Sequence, residues 1–409
     1  MLATGSLNGR TLAAGIVGDA TLKPYGILIL FMALAYISTS LDMTGCFGWL
    51  ALHITRRSKG NGRLLFLLYF AVSSIITVFT SNDIAIMTLT PIIYYFSAAT
   101  GTDAVPYLTA MFTAANIWSM LLFVGNPTNI IVAVAYQMSF GDYSRWMALP
   151  TLGAGLGCLA VLLLVHARRM PKHLALPDLQ PALLLLDKPG AAFGSFNILG
   201  CLGLLAAAPS LGWELWPVTL VVPFVLGMFI LVEGLNATGW VDRLAWWLGS
   251  GVRGSVWAAL FAVGSFSVLL ANLANNQPMT ILMTRVCMSP VFAQAAAAAA
   301  AGAPAAGGLI SSGSSSNADL SSPTSMASMA DGSSRVPIGA AFAVVIASNV
   351  AANFTVMGAL AGIMFVNILQ RKGLRTVNYA TFSRLMLPSG LVSAVLALAI
   401  LGAELVLWQ

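Results

Sequence analysis

Four clusters of amide, hydroxyl and carboxyl side chains interrupt otherwise apolar stretches of this chain. They are Ser81-Asn82-Asp83, Gly125-Asn126-Pro127-Thr128-Asn129, Asn275-Asn276-Gln277-Pro278, and Ser348-Asn349 with Asn353. Amides and hydroxyls donate and accept hydrogen bonds, while Pro and Gly break helices and free backbone carbonyls. Such groups can replace the hydration shell of a small solute, and Asp83 adds a group able to exchange a proton or hold a cation. That is binding chemistry. No nucleophile–base pair, HExxH arrangement or GxxxxGK[ST] loop accompanies it, so neither an enzyme nor a nucleotide site is expected. Cys46, Cys158, Cys201 and Cys287 are scattered singly, and no metal or other cofactor is expected.

The clusters recur. Leu41-Asp42-Met43-Thr44-Gly45 followed by Leu50-Ala51 returns 194 residues later as Leu235-Asn236-Ala237-Thr238-Gly239 followed by Leu244-Ala245, and Ser81-Asn82-Asp83 maps onto Asn275-Asn276-Gln277. From Asn82 to Asn116 is 34 residues; from Asn276 to Asn349 is 73, a surplus of 39. That surplus matches an Ala/Ser/Gly-rich stretch, 291–336, too poor in large apolar side chains to fold and therefore expected to be a disordered insertion. Afterwards the halves realign, Tyr143-Ser144-Arg145 with Phe382-Ser383-Arg384. Repeated halves whose apolar segments are interrupted by Asn, Gly and Pro are the pattern of secondary transporters, in which broken helices carry the substrate site at mid-bilayer.

Composition puts these elements in a membrane. The 409 residues are 58% hydrophobic and 8% charged, against roughly a quarter charged in soluble domains. The reading is an all-α, multi-pass integral membrane protein. Residues 1–24 form a polar N-terminal segment, 25–167 a first transport repeat, 168–190 a cytoplasmic linker and 191–409 a second repeat. Around Ser81-Asn82-Asp83 the apolar arms, 64–80 and 84–98, fall short of the roughly 20 residues a crossing needs. This suggests a re-entrant hairpin or a broken helix, tolerated only where protein or water covers its tip. Residues 105–138 are one apolar stretch broken at Gly125-Asn126-Pro127. The stretch 191–211 is a marginal span, 216–235 a clear one, and 385–408 closes the chain.

Basic clusters at 56–63, 168–188 and 371–384 carry four Lys or Arg each and should be cytoplasmic. This orientation requires the two repeats to be inverted. The net charge of +6 suits loops at an anionic leaflet. No basic patch interleaved with aromatics points to nucleic acid.

At these motifs the sequence resembles the arsenical pump membrane protein family, within the ion transporter superfamily that also holds sodium–dicarboxylate carriers and sodium/proton antiporters. The resemblance rests on Leu41-Asp42 leading into Gly45-Cys46-Phe47-Gly48-Trp49-Leu50-Ala51-Leu52-His53, on Ser81-Asn82-Asp83 with Leu89-Thr90-Pro91-Ile92, and on Asn126-Pro127-Thr128-Asn129-Ile130. In the second half Asn275-Asn276-Gln277-Pro278 and Gly358-Ala359-Leu360-Ala361-Gly362 match. It implies two inverted repeats, each with a re-entrant hairpin and a discontinuous helix. It also implies export of arsenite or antimonite coupled to protons, alone or with an ATPase subunit, with a homodimer as a further assembly. Sodium-coupled carboxylate carriage and a truncated, transport-inactive paralogue are the alternatives. Against the family pattern, the chain is read as lacking the first helices and one mid-chain helix.

The residues carry competing readings. Asp83 is a coupling carboxylate or a helix cap. Asn82, Gly125, Asn126, Pro127, Thr128, Asn129, Asn275, Asn276 and Gln277 are solute or ion ligands or simply helix-break chemistry. Asn116, Ser348, Asn349 and Asn353 touch solute or bridge helices. Asp42 pairs near a helix end or takes part in proton coupling, and Glu233 is similar. Trp118, Trp146, Trp246 and Trp247 are packing or interfacial anchors.

Overall fold

A computed structural model describes residues 37–174, 181–211, 239–301, 335–371 and 379–407, and among these no strand occurs. The polar segment 1–24, the span 216–235 with Glu233, and Lys372 and Arg375 lie outside the described residues. After a helical stretch over 37–43, the first half contains α1 (Cys46–Arg57), α2 (Gly62–Phe79), α3 (Asn82–Thr100), α4 (Val105–Trp118), α5 (Pro127–Ala135) and α6 (Phe140–His166). The stretch read as a marginal span is helix α7 (Lys188–Leu211). The second half contains α8 (Trp240–Val252), α9 (Val256–Ala274), α10 (Asn276–Met288), α11 (Pro290–Ala300), α12 (Arg335–Val350), α13 (Leu360–Arg371) and α14 (Tyr379–Leu407).

Helix starts reproduce the sequence offsets. α1, α2 and α3 begin at 46, 62 and 82; α8, α9 and α10 begin 194 residues later, at 240, 256 and 276. Gly45 and Gly239, ahead of α1 and α8, both adopt left-handed backbone (φ 82° and 75°), which only glycine enters without steric cost. α2, α6, α9, α12 with its following turn, and α14 are each long and apolar enough to cross a membrane. α10 and α11 together make a sixth candidate, bent by 58°. Large apolar side chains at Leu149, Leu152 and Leu156 on α6, and Leu387, Leu391 and Val395 on α14, are exposed at three- to four-residue spacing, as lipid-facing stripes should be. α4 from Pro106 to Ile117 and α12 from Val336 to Val350 are buried all round, so these two helices form the centre.

Hydrogen bonds and an ion pair between the loops fix the directions. Gly62 N–H donates to Pro171 O (3.2 Å), Leu174 N–H to Gly60 O (2.7 Å), and Arg169 pairs with Asp103 at 3.8 Å. The basic loops at 56–63 and 168–174 therefore sit side by side with the end of α3, so α2 and α3 leave from and return to one face. At that face, His166 at the end of α6 meets Thr109 near the start of α4 (2.9 Å). At its other end, α6 places Tyr143 and Trp146 against Phe342 in the middle of α12. α14 runs antiparallel to α6, with Leu396 at Gly157 and Ile400 at Gly153, so that its last turn reaches Gly339 near the start of α12. A helix of 27 residues is about 40 Å long. The starts of α4 and α12 thus lie at opposite ends of α6, and the two helices run in opposite directions. α14 repeats this in reverse, with Leu405 beside Gly339 and Phe382 against Phe112.

Three expectations change. The hairpin arms α2 and α3 have 18 and 19 residues, because Asn61 caps α2 ahead of the apolar run and α3 continues to Thr100. The low-complexity stretch is not uniformly unstructured: α11 covers 290–300, and Arg335 already belongs to α12. Ser289 caps α11, Pro290 suits its first turn, and alanine has the highest helix propensity. Phe292, Ala295 and Ala296 are buried, with Gly249 of α8 closely approached by Phe292 O and Ala295. The first break also opens earlier than Gly125, since α4 ends at Trp118 and a turn over 119–122 precedes Phe123–Gly125.

Candidate functional site

Both central helices end where they meet. α4 stops at Trp118 and the chain resumes as α5 at Pro127; α12 stops at Val350, passes through short turns at Ala351–Asn353 and Val356–Gly358, and resumes as α13. Each break folds tightly on itself. A Cβ at Gly125 would come within 2.4 Å of Ser119 O, and one at Gly358 within 2.2 Å of Ala351 O. Glycine is required there by close backbone approach.

Asn349 joins the two breaks. Its Oδ1 accepts from Ser119 Oγ (2.6 Å) and Asn126 Nδ2 (3.0 Å), and its Nδ2 donates to Asn129 Oδ1 (2.6 Å) and Val345 O (2.8 Å). Two lone pairs and two N–H groups are thereby used, the full capacity of a carboxamide. Beside it, Ser348 Oγ donates to Thr128 Oγ1 (3.1 Å), and Asn129 Nδ2 also donates to Ser119 O (2.8 Å). Asn126, Thr128, Asn129 and Asn349 therefore make helix-bridging hydrogen bonds between the halves.

The hairpin tips reach the same place. Asn82 Nδ2 donates to Asn116 Oδ1 (3.0 Å), and Asn276 Nδ2 donates to Ser348 O (3.2 Å). Ser119 Oγ touches both Asn116 O (2.7 Å) and Asn349 Oδ1, so an unbroken line of polar contacts links one tip to the other. Ser81, Asn126 and Asn275 act as N-caps of α3, α5 and α10, accepting from Ile84, Thr128 and Gln277 N–H. Capping thus accounts for these three. It does not account for Asp83, whose half-buried carboxylate has no hydrogen-bond or ion-pair partner among the described residues. Gln277, its counterpart, is also half-buried. Asn353 is fully buried and both amide atoms lack partners, as does Asn82 Oδ1. Asp42 is apart from this cluster, accepting from Thr88 Oγ1 of α3 (2.8 Å).

Ser119 escaped the sequence reading. One turn beyond Asn116 and outside the Gly125–Asn129 motif, it carried no signal beyond being a hydroxyl in an apolar run. None of the side chains joined in this network is cationic.

The sequence pattern of the citrate transporter family (CitMHS) matches residues 1–307. The chain belongs to this family. It is an integral, multi-pass membrane protein, and it is similar to arsenical pump membrane proteins. An Escherichia coli protein of that name is 27% identical over 287 residues, covering 62% of this chain and 66% of its own length. A putative arsenical pump membrane protein of Bacillus subtilis is 24% identical over 319 residues, covering 66% and 72%. An uncharacterized transporter of Synechocystis is 35% identical over 133 residues, 32% of this chain and 29% of its own. The chain spans 66% of the length of the Escherichia coli relatives it matches.

Proposed function

We propose that this chain is a secondary transporter for a small uncharged inorganic hydroxide, arsenite or antimonite, exported in exchange for protons. Residues 25–167 and 191–409 act as its two transport repeats. The observation that carries the reading is the make-up of the cluster where the two breaks meet: amides and hydroxyls, with Asp83 next in sequence to Asn82 and no cationic side chain in the hydrogen-bonded network. Arsenite at neutral pH is an uncharged trihydroxide, able to donate and accept hydrogen bonds, and it needs no counter-charge. A citrate anion would meet Asp83 as a like charge and require co-bound cations. The names of the Escherichia coli and Bacillus subtilis relatives agree with the metalloid.

Asp83 is the coupling group in this scheme. A carboxylate inside a membrane costs several kcal/mol unless paired or protonated, so its occupancy by a proton and by solute can be made exclusive. The test is arsenite accumulation by everted vesicles under an imposed proton gradient, with an established exporter as positive control. No accumulation rules the reading out. The family's own description favours a second reading, a sodium-coupled carboxylate carrier. Citrate counterflow that requires sodium would establish it in place of the first.

A further inference from the structure

One corner of the molecule occurs twice, and only one copy is highly charged. The turns joining α1 to α2 and α8 to α9 lie 194 residues apart and share their geometry. Lys59-Gly60 (φ 49° and 79°) and Arg253-Gly254 (φ 50° and 70°) are both left-handed, and Asn61 and Ser255 then cap the following helices. Val256 at the start of α9 lies beside Gly339 near the start of α12, so the second corner is at the face opposite the first. Around the first turn stand Arg56, Arg57 and Arg63; the same positions around the second are Ser250, Gly251 and Trp257. Trp257 lays its ring on Gly402 of α14. The turn therefore forms without the three arginines, which leaves them available to something outside the fold.

The first corner also gathers a second basic loop. Gly62 N–H donates to Pro171 O (3.2 Å) and Leu174 N–H to Gly60 O (2.7 Å), which seats 168–174 against the turn. Arg168, Arg169 and Lys172 thereby join Arg56, Arg57, Lys59 and Arg63, and all seven side chains are exposed. Asp103, the acid at this corner, is taken by Arg169 at 3.8 Å. At the opposite face Leu407 stands where the repeat would place Arg168, 239 residues earlier. A cytoplasmic orientation asks only for basic residues somewhere in these loops. It does not ask that Gly62 and Pro171, 109 residues apart, be hydrogen-bonded so that two basic loops form one patch. Next along the same helices the surface turns apolar, with Leu64 and Leu67 on α2 and Leu164 and Val165 on α6 all exposed. Guanidinium groups match phosphate oxygens in geometry as well as charge. We propose that this corner binds the headgroup of an anionic lipid bearing two phosphates, one against each loop, with its acyl chains among those apolar side chains. An acidic protein segment would complement the charge but not the apolar surface that adjoins it. The assignment is independent of which solute is carried.

Native mass spectrometry of the purified full chain, titrated with cardiolipin in detergent, reads the apparent dissociation constant. One tightly held cardiolipin per chain is expected, with phosphatidylglycerol, which has a single phosphate, bound at least tenfold more weakly. Each Lys or Arg at a membrane surface adds to the attraction of anionic lipid. Arg63→Gln with Arg168→Gln, one from each loop, should therefore weaken cardiolipin binding at least tenfold. Without lipid, the thermal midpoint of that variant should equal the parent's, because the second corner folds with neither cation; a lower midpoint would make the cations structural and overturn the proposal. Arg253→Gln, in the matching turn at the other face, should leave the constant within threefold. Unchanged binding in the double variant, an equal loss in Arg253→Gln, phosphatidylglycerol binding as tightly as cardiolipin, or displacement of the lipid by an equal concentration of polyglutamate would each overturn it.

Discussion

Replacing Asn349 and Asn116 separately by alanine weighs the hydrogen bonds that join the two breaks. These residues hold equivalent positions on the two central helices, and both are at most 1% exposed. The lost side-chain volume is identical, so packing terms largely cancel in the comparison. Asn349 forms three side-chain hydrogen bonds across the repeats, to Ser119, Asn126 and Asn129, whereas Asn116 forms one, to Asn82. Interhelical hydrogen bonds in membrane proteins average ~0.6 kcal/mol and reach ~1.7 kcal/mol. Three such bonds give about 2–5 kcal/mol for Asn349→Ala, and one gives about 0.6–1.7 kcal/mol for Asn116→Ala. Reversible unfolding of each variant in bicelles, followed by tryptophan fluorescence, reads both losses on one scale. The Asn349 loss should be about three times the Asn116 loss. Equal losses, or a larger one at Asn116, would refute it.

Asp83→Asn should abolish proton-driven arsenite accumulation in everted vesicles while expression and arsenite binding persist; retained gradient-driven flux would remove Asp83 from the coupling step. Gly358→Ala brings a Cβ to within 2.2 Å of Ala351 O, so it should lower the unfolding midpoint by several degrees. Gly101→Ala, where a Cβ meets nothing within 4 Å and only the left-handed backbone (φ 65°) resists it, should cost about 1–2 kcal/mol. Paired cysteines at Ala154 and Ser393, whose Ser393 Oγ lies 3.2 Å from Ala154 O, should form an oxidative cross-link, whereas Ala154 paired with Leu407 should not.

The membrane setting, the duplication and the polar interruptions were legible in the residues alone. Hydropathy is a property of local composition, and the offset of 194 survives as identical helix starts because caps and breakers such as Gly45, Gly239, Ser81 and Asn275 act within a few residues of themselves. The helix at 290–300 was legible in principle too, since alanine propensity is local, but low complexity masked it. Only the tertiary structure could set Asn349 against Ser119, Asn126 and Asn129, because those partners are 230, 223 and 220 residues away and the contacts depend on two helices meeting end to end. It also decided which amides are spent. Asn129 and Asn353 are the same residue type, one in each break, yet Asn129 is hydrogen-bonded through both amide atoms and Asn353 through neither. A carboxamide's free capacity depends on what the fold brings within 3 Å of it, and sequence spacing carries no such information.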